Sequence, residues 1–317
     1  MTRFDNPLGR AAFRLRQGLW ARRVRAARRV LAGERAWQAM DLLGIPGFGT
    51  DLLRLDFPPA GGNVPAWDGN SAAFARLAGR LDRNAPRQAA LLAACLGHSE
   101  ILKSWPAKRL EGSPLPWLGN EFLSPLDMVA LYGMIRESGP GRYIEIGCGI
   151  STRVALAAVR DGGLATRMTC VDPEPRVDLP SPEIEHRPVR LESAVHEVLE
   201  LAEPGSILFF DGSHRSFPGS DVTLFFLELL PALRPGVIVH IHDIFLPGDY
   251  PADLASRHWS EQYLLAAWLL GGSEGLEILL PGARLEARPD TAPLMPPALR
   301  PGGPTEGRFT SFWMKRQ

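Results

Sequence analysis

The chain has little of what would place it outside the cell, across a membrane or on a polyanion. Its three cysteines, Cys95, Cys148 and Cys170, are too few and too scattered for a disulfide framework or a thiolate zinc site. Cys148 and Cys170 fall at the ends of expected core strands, where a small buried residue is the plain reading. No apolar run reaches the roughly 18–20 residues that span a bilayer, and the N-terminus lacks the apolar stretch of a secretory signal. A reducing cytoplasm is the expected location. Lysine plus arginine equals aspartate plus glutamate, at 35 each, so net charge points to no polyanionic partner. The second half also shows no basic–aromatic stripe for nucleic acid.

Apolar residues make up 45% of the chain, ample for a packed core. Residues 1–35 carry ten arginines against Asp5 and Glu34. Between them Phe13, Leu15, Leu19, Trp20, Val24, Ala27, Val30 and Leu31 recur at helical spacing. This is a basic amphipathic helix that lies on an anionic membrane or a partner, or else packs its apolar stripe on its own domain. Residues 71–104 also read as helices, and Ser113-Pro-Leu-Pro116 reads as a linker. Residues 1–115 are therefore expected to form a mainly helical extension, and 116–317 a second domain.

From about residue 124 helices and strands alternate, the signature of a parallel sheet with helices on both faces. Helix Ser124–Tyr132 and onward ends near Gly139-Pro140-Gly141. Strands are expected at 143–146, 167–171, 184–188, 207–210, 237–241, 276–280 and 309–314. Helices are expected at 151–160, 192–202, 221–233 and 254–270. Between the last two strands, Pro281 to Gly307 holds seven prolines. An irregular loop of this length is usually functional or disordered, and this one would leave and re-enter at the edge where ligands bind, as a lid.

The most informative segment is Tyr143-Ile-Glu-Ile-Gly-Cys-Gly-Ile-Ser-Thr152. A strand, a glycine turn and a helix start form the cofactor corner of a doubly wound fold. Gly147 and Gly149 let the backbone turn and approach a ligand, and Ser151 and Thr152 are candidate N-caps. A dinucleotide fingerprint would need a third glycine where Thr152 stands, which counts against a nicotinamide-dependent oxidoreductase. Asp172 follows at the end of the second strand, where an acidic side chain takes ribose hydroxyls or simply caps a turn.

The fourth strand ends in Phe209-Phe210-Asp211-Gly-Ser-His214, and the fifth in His240-Ile-His-Asp243. Ligands bind beyond the carboxyl ends of strands in such sheets, which gathers Asp211, His214, His242 and Asp243. Three readings stay open. Asp211, His242 and Asp243 hold a divalent ion that lowers the pKa of an acceptor hydroxyl. Alternatively His214 or Asp211 is a general base without metal, or the cluster is a hydrogen-bonded network. Glu261, Gln262 and Tyr263 either line an acceptor pocket or form a capped helix face.

The E-x-G-x-G form resembles the first motif of class I S-adenosylmethionine-dependent methyltransferases. Gly219-Ser-Asp-Val222, Leu229-Leu-Pro-Ala-Leu-Arg-Pro-Gly236, His240-Ile-His-Asp-Ile-Phe-Leu-Pro247, Trp259-Ser-Glu-Gln-Tyr-Leu264 and Ser311-Phe-Trp-Met-Lys-Arg316 are similar to a bacterial branch related to methyltransferase family 24. The resemblance covers about 124–317. It implies a Rossmann-like, doubly wound, seven-stranded α/β sheet whose last strand is antiparallel, with a helical N-terminal extension. It implies S-adenosylmethionine as cofactor, contacted by Glu145, Gly147, Cys148, Gly149, Ser151, Thr152, Asp172 and Asp211. Asp211, His214 and Asp243 become the candidate catalytic residues. Metal-dependent relatives place acidic or amide groups around magnesium, and manganese is the alternative ion. Here His242 stands at one of those positions. The implied acceptor is a small-molecule or saccharide hydroxyl. A non-catalytic cofactor-binding scaffold working through the basic N-terminal helix is the competing reading, and the oligomeric state is not legible.

Overall fold

Short apolar runs bounded by glycine and proline become the strands of one seven-stranded sheet in the computed structural model. The structure describes residues 69–317 except 256, 273–274, 297–298 and 300–307. The basic stretch expected from Phe13 to Leu31 lies outside the described residues. The chain divides between Gly61 and Gly62, and the described residues all fall in the second unit.

Helices α1 (Ala72–Leu81), α2 (Ala85–Leu96) and α3 (Pro125–Ser138) precede the sheet. Then follow β1 (Arg142–Ile146), α4 (Ile150–Asp161), β2 (Arg167–Val171), β3 (Glu185–Arg187), α5 (Val195–Leu201) and β4 (Ile207–Phe210). Helix α6 (Asp221–Leu224) runs through a π turn at Phe225–Leu229 into α7 (Leu230–Ala232). The chain closes with β5 (Ile238–Ile241), α8 (Ala252–Ala255), α9 (Glu261–Leu270), β6 (Leu276–Pro281), α10 (Gly282–Ala287) and β7 (Phe312–Arg316). The sheet order is β3-β2-β1-β4-β5-β7-β6. β7 alone pairs antiparallel to its neighbours, as expected from the sequence. No helix among the described residues is long and apolar enough to cross a membrane.

Alternation along the central strands feeds two cores. Tyr143, Ile207, Phe209 and Trp313 face α2, α3 and α4, while Ile144, Ile146, Leu208 and Phe210 face α1, α5, the α6–α7 segment and α9. Helix α3 is buried from Leu126 to Ile135, so it shows no amphipathic stripe. Ser124 caps it by accepting from the Asp127 amide, Pro125 opens its first turn, and Gly139 closes it at φ 53. Helices α1 and α2 belong to the same packing, through Leu77, Leu81, Leu92 and Cys95.

Three expectations need correction. The helix expected over 254–270 is two pieces, because His258 turns left-handed (φ 55) and Ser260 binds its amide to the His214 carbonyl at 2.8 Å. The final strand begins at Phe312, because Thr310 and Ser311 give their amides to Asp127. The segment after Pro281 is not an irregular lid through Met295. It forms α10, pairs Arg284 with Asp82 on the α1 side, and sets Arg288 Nη1 2.8 Å from Gln88 Oε1 on α2.

Candidate active site at the strand exits

Hydrogen bonds beyond the strand ends stitch the exits of β2, β1, β4 and β5 side by side. The Gly147 amide donates to the Val171 carbonyl, the Asp211 amide to Ile146 and the His242 amide to Phe210, at 3.0–3.1 Å. Gly147 sits at φ +83, and a Cβ there would fall 1.9 Å from the Asp211 carbonyl oxygen. Gly149 differs: its backbone is extended and its Cβ direction opens onto free space. One glycine lets the turn pack on the β4 exit, while the other leaves room for a ligand.

Helix α4 starts at Ile150 with Gly149 as N-cap, so neither Ser151 nor Thr152 caps it by position. Thr152 is the third helical residue and accepts the Gly149 amide at 3.1 Å. Ser151 donates to the Glu145 carboxyl. Glu145 is fully buried beneath the turn, and burial pushes its pKa up to about 8 against the opposing help of Ser151 and Thr152. Cys148 and Cys170 come within 4.8 Å of Glu145 and of each other. The Cys170 partner and burial hold the Cys148 thiol well above its ordinary range.

Asp172 accepts the Cys148 amide at 2.7 Å and the Glu174 amide at 2.8 Å. It therefore fixes the glycine turn to the β2 exit. Asp172→Ala is expected to lower stability by about 1–3 kcal/mol through two amides left unpaired. The same change should weaken S-adenosylhomocysteine binding about tenfold or more. Urea unfolding and calorimetry read the two effects separately.

Beyond β4 and β5 the four expected residues meet. His214 Nε2 lies 3.3 Å from Asp211 Oδ1 and 3.7 Å from Asp243 Oδ2. His242 Nδ1 lies 3.9 Å from Asp211 Oδ2 and 3.6 Å from Asp243 Oδ1. Both imidazoles are buried, whereas the two aspartates keep part of their surface open. Burial opposes charge on His214, but Glu261, Asp211 and Asp243 outweigh it and push its pKa up to about 9. His242 is likewise raised against burial, chiefly by Asp243. Asp243 is lowered, because His242 and His214 overcome its own burial. His214 and Asp243 also hold left-handed backbones, at φ 63 and 58. Non-glycine residues there cost about 1–3 kcal/mol unless the surroundings fix them, and such strain gathers at working sites.

Two acidic residues complete the site from behind. Glu261, at the start of α9, is fully buried with Oε1 2.6 Å from His214 Nδ1, and Trp259 lies against the same imidazole with centroids 4.3 Å apart. Burial raises the Glu261 pKa to about 7, although His214 pulls the other way. Gln262 is buried and accepts the Phe245 amide, while Tyr263 is partly exposed and donates to Asp249. Asp127 is the residue that sequence reasoning missed. The spacing Ser124-x-x-Asp127 marks it as a capping-box residue. Its carboxylate accepts the Ser124 hydroxyl at 2.7 Å and the amides of Thr310 and Ser311 at 3.1 and 2.8 Å. The other side of that carboxylate faces His242 Nε2 at 3.7 Å. Asp127→Ala is expected to cost about 2–4 kcal/mol, read as a lower urea midpoint.

Residues 144–244 match the model of methyltransferase family 24, described as a methyltransferase domain. The matched stretch runs from β1 to just beyond Asp243 and holds the glycine turn, Asp172 and the whole strand-exit cluster except Glu261 and Asp127. The match defines the class of this stretch: a methyltransferase domain. Residues 144–244 carry the methyltransferase domain of that family. No curated protein matches the sequence. Among solved structures, the S-adenosylhomocysteine-bound methyltransferase of Podospora anserina is 14% identical over 71% of this chain and 88% of its own, with a TM-score of 0.40. The S-adenosylhomocysteine complex of an O-methyltransferase from Bacillus cereus is 11% identical over 72% of this chain and 91% of its own, with a TM-score of 0.38.

Proposed function

We propose that the protein moves the methyl group of S-adenosylmethionine onto a hydroxyl oxygen of a small molecule or saccharide. The observation that carries this reading is the meeting of Asp211, His214, His242 and Asp243 immediately beside the Gly147 turn. Glu145, through Ser151, and Thr152, through Gly149, brace the turn. The open side of Gly149, and Asp172 and Asp211, would receive the cofactor. In the reaction the sulfonium S–CH3 bond breaks as the acceptor oxygen forms the new O–CH3 bond. The electron pair returns to sulfur, leaving neutral S-adenosylhomocysteine. The acceptor proton must leave as the new bond forms. Holding donor and acceptor in line is worth roughly 7–11 kcal/mol, and removing the proton adds about 10²–10⁴-fold.

Two carboxylates and two imidazoles on the acceptor side suit that second task. A divalent ion held by Asp211, His242 and Asp243 would lower the pKa of the hydroxyl. Asp211, and His214 aimed by Glu261 once it has lost its own proton near pH 9, are the protein groups placed to take the proton itself. The scaffold alternative is not favoured, because a buried cluster of charges is expensive to desolvate and a scaffold has no use for it. Nucleic acid is not the proposed acceptor. A peripheral membrane contact through the basic N-terminal stretch stays a separate proposal, read by liposome sedimentation.

The test is methyl transfer from labelled S-adenosylmethionine to a panel of sugars, phenols and aliphatic alcohols, with matched amines and thiols beside them. Labelled oxygen ethers are the expected products. Transfer to nitrogen or sulfur acceptors alone would refute the oxygen assignment.

A further inference from the structure

We propose that residues 106–123 form the outer wall of the cofactor cleft, and that Phe122 and Arg176 close over the bound cofactor as its latch. The proposal rests on the reading of the Gly147–Gly149 turn as the cofactor site and adds binding residues to that site.

The chain before α3 is not a free connection. The Leu118 and Gly119 amides donate to the Pro106 and Ala107 carbonyls, each at 2.9 Å, so residues 106–119 form a closed surface loop. Arg153 holds this loop in place. It lies one turn along α4 from Gly149, and so on the side of the helix where that glycine leaves open space. Its Nη1 donates to the Ser113 carbonyl at 2.5 Å, and its Nη2 to the Asp178 carbonyl at 2.9 Å. Arg109 reaches the Asp178 carboxylate at 2.9 Å. Both guanidiniums lie over Trp117, at 5.9 Å for Arg109 and 5.7 Å for Arg153.

The loop is thereby tied to both flanks of the glycine turn. Asp178 belongs to the chain that leaves β2 through Asp172, whose carboxylate holds the Cys148 amide. In the other direction the chain passes through Phe122 and Leu123 into α3, where Asp127 faces His242. Between these two anchors the chain runs past the opening at Gly149.

The latch lies where the two segments meet. Asn120 Oδ1 accepts the amides of Phe122 and Leu123 at 3.0 and 2.7 Å. Leu123 is buried by this turn, whereas Phe122 stays 47% exposed. Arg176, four residues past Asp172, sets its guanidinium 5.2 Å from the Phe122 ring. Leu110 and Leu115 on the same loop are exposed as well, so uncovered apolar surface gathers beside an anchored base. A purine nucleoside offers a flat apolar face, and a phenyl ring paired with a planar guanidinium is a surface suited to it.

The experiment uses the full-length protein with S-adenosylhomocysteine as the probe, and calorimetry first establishes binding. Hydrogen exchange read by mass spectrometry, with and without S-adenosylhomocysteine, then follows peptides covering 106–123 and 172–178. Displacement of radiolabelled S-adenosylhomocysteine measures its release. Exchange is expected to slow in both peptides on binding. Release should be about five- to tenfold faster from Phe122→Ala and from Arg176→Gln. Phe122→Tyr should restore slow release, and urea midpoints equal to wild type would assign these changes to the latch rather than to folding. Binding with unchanged exchange over 106–123, or wild-type release from Phe122→Ala, would overturn the latch and leave the cofactor reading standing. Folded wild-type protein that takes up no S-adenosylhomocysteine would bring down that reading and the latch with it.

Discussion

Asp243→Asn is expected to leave the protein folded and able to bind S-adenosylhomocysteine, while methyl transfer falls about 10²–10⁴-fold. Asparagine keeps the size of the side chain and is one of the few residues that accept the left-handed backbone found at this position, φ 58. What it removes is one of the two negative charges that face both His214 and His242. A loss of that size corresponds to roughly 3–5 kcal/mol in the transition state. It should appear in kcat, because Asp243 lies at the β5 exit facing both imidazoles and takes no part in bracing the glycine turn. Asp211→Asn should act on the same step. The double variant should then be little worse than either single one, since groups that serve one proton or one ion are not additive. Near wild-type turnover in both single variants would remove the cluster from the reaction.

Gly147→Ala is expected to be among the most destabilising single changes in the chain, at about 2–5 kcal/mol. A left-handed φ of +83 costs a β-carbon-bearing residue roughly 1–2 kcal/mol. Forcing apart two backbones, with the new carbon 1.9 Å from the Asp211 carbonyl, adds about 1–3 kcal/mol. Gly149→Ala is the internal control. Nothing stands within 4 Å of its Cβ position and its φ is extended, so stability should change little. Its methyl would enter the space left for the cofactor, and S-adenosylhomocysteine affinity should fall. Urea midpoints and calorimetry on the two variants should therefore move in opposite proportion. Equal stability losses at both positions would contradict the division of labour between these glycines.

The two glycines also show what a sequence conveys. Their spacing after an apolar strand identifies the turn, because few residues permit such a backbone. It cannot say which glycine answers to a neighbouring strand, since the Asp211 carbonyl arrives from a distant part of the chain. The central strands are legible in the sequence as short apolar runs such as Ile207–Phe210, and the residues that follow them are Asp211, His214, His242 and Asp243. Asp127 was not legible as part of the site. Locally it is a capping-box residue of α3, and its link to His242 depends on β7 being inserted antiparallel beside β5. Glu261 was similarly ambiguous, because the apolar and polar residues over 254–270 fit one continuous helix. Only the left-handed turn at His258 redirects the chain so that Glu261 meets His214. The proline-rich stretch after Pro281 looked irregular from composition alone. Between Gly282 and Met295 its order comes from Arg284 reaching Asp82, just past α1, and Arg288 reaching Gln88 on α2, pairings that local sequence cannot announce.

The most direct test of the whole account is calorimetric titration of S-adenosylhomocysteine into the purified, metal-stripped protein, with Asp172→Ala alongside. The account predicts one site per chain with micromolar affinity, weakened at least about tenfold in the variant. Folded wild-type protein that takes up no S-adenosylhomocysteine, with or without added divalent ions, would contradict the assignment of the Gly147–Gly149 turn as a cofactor site.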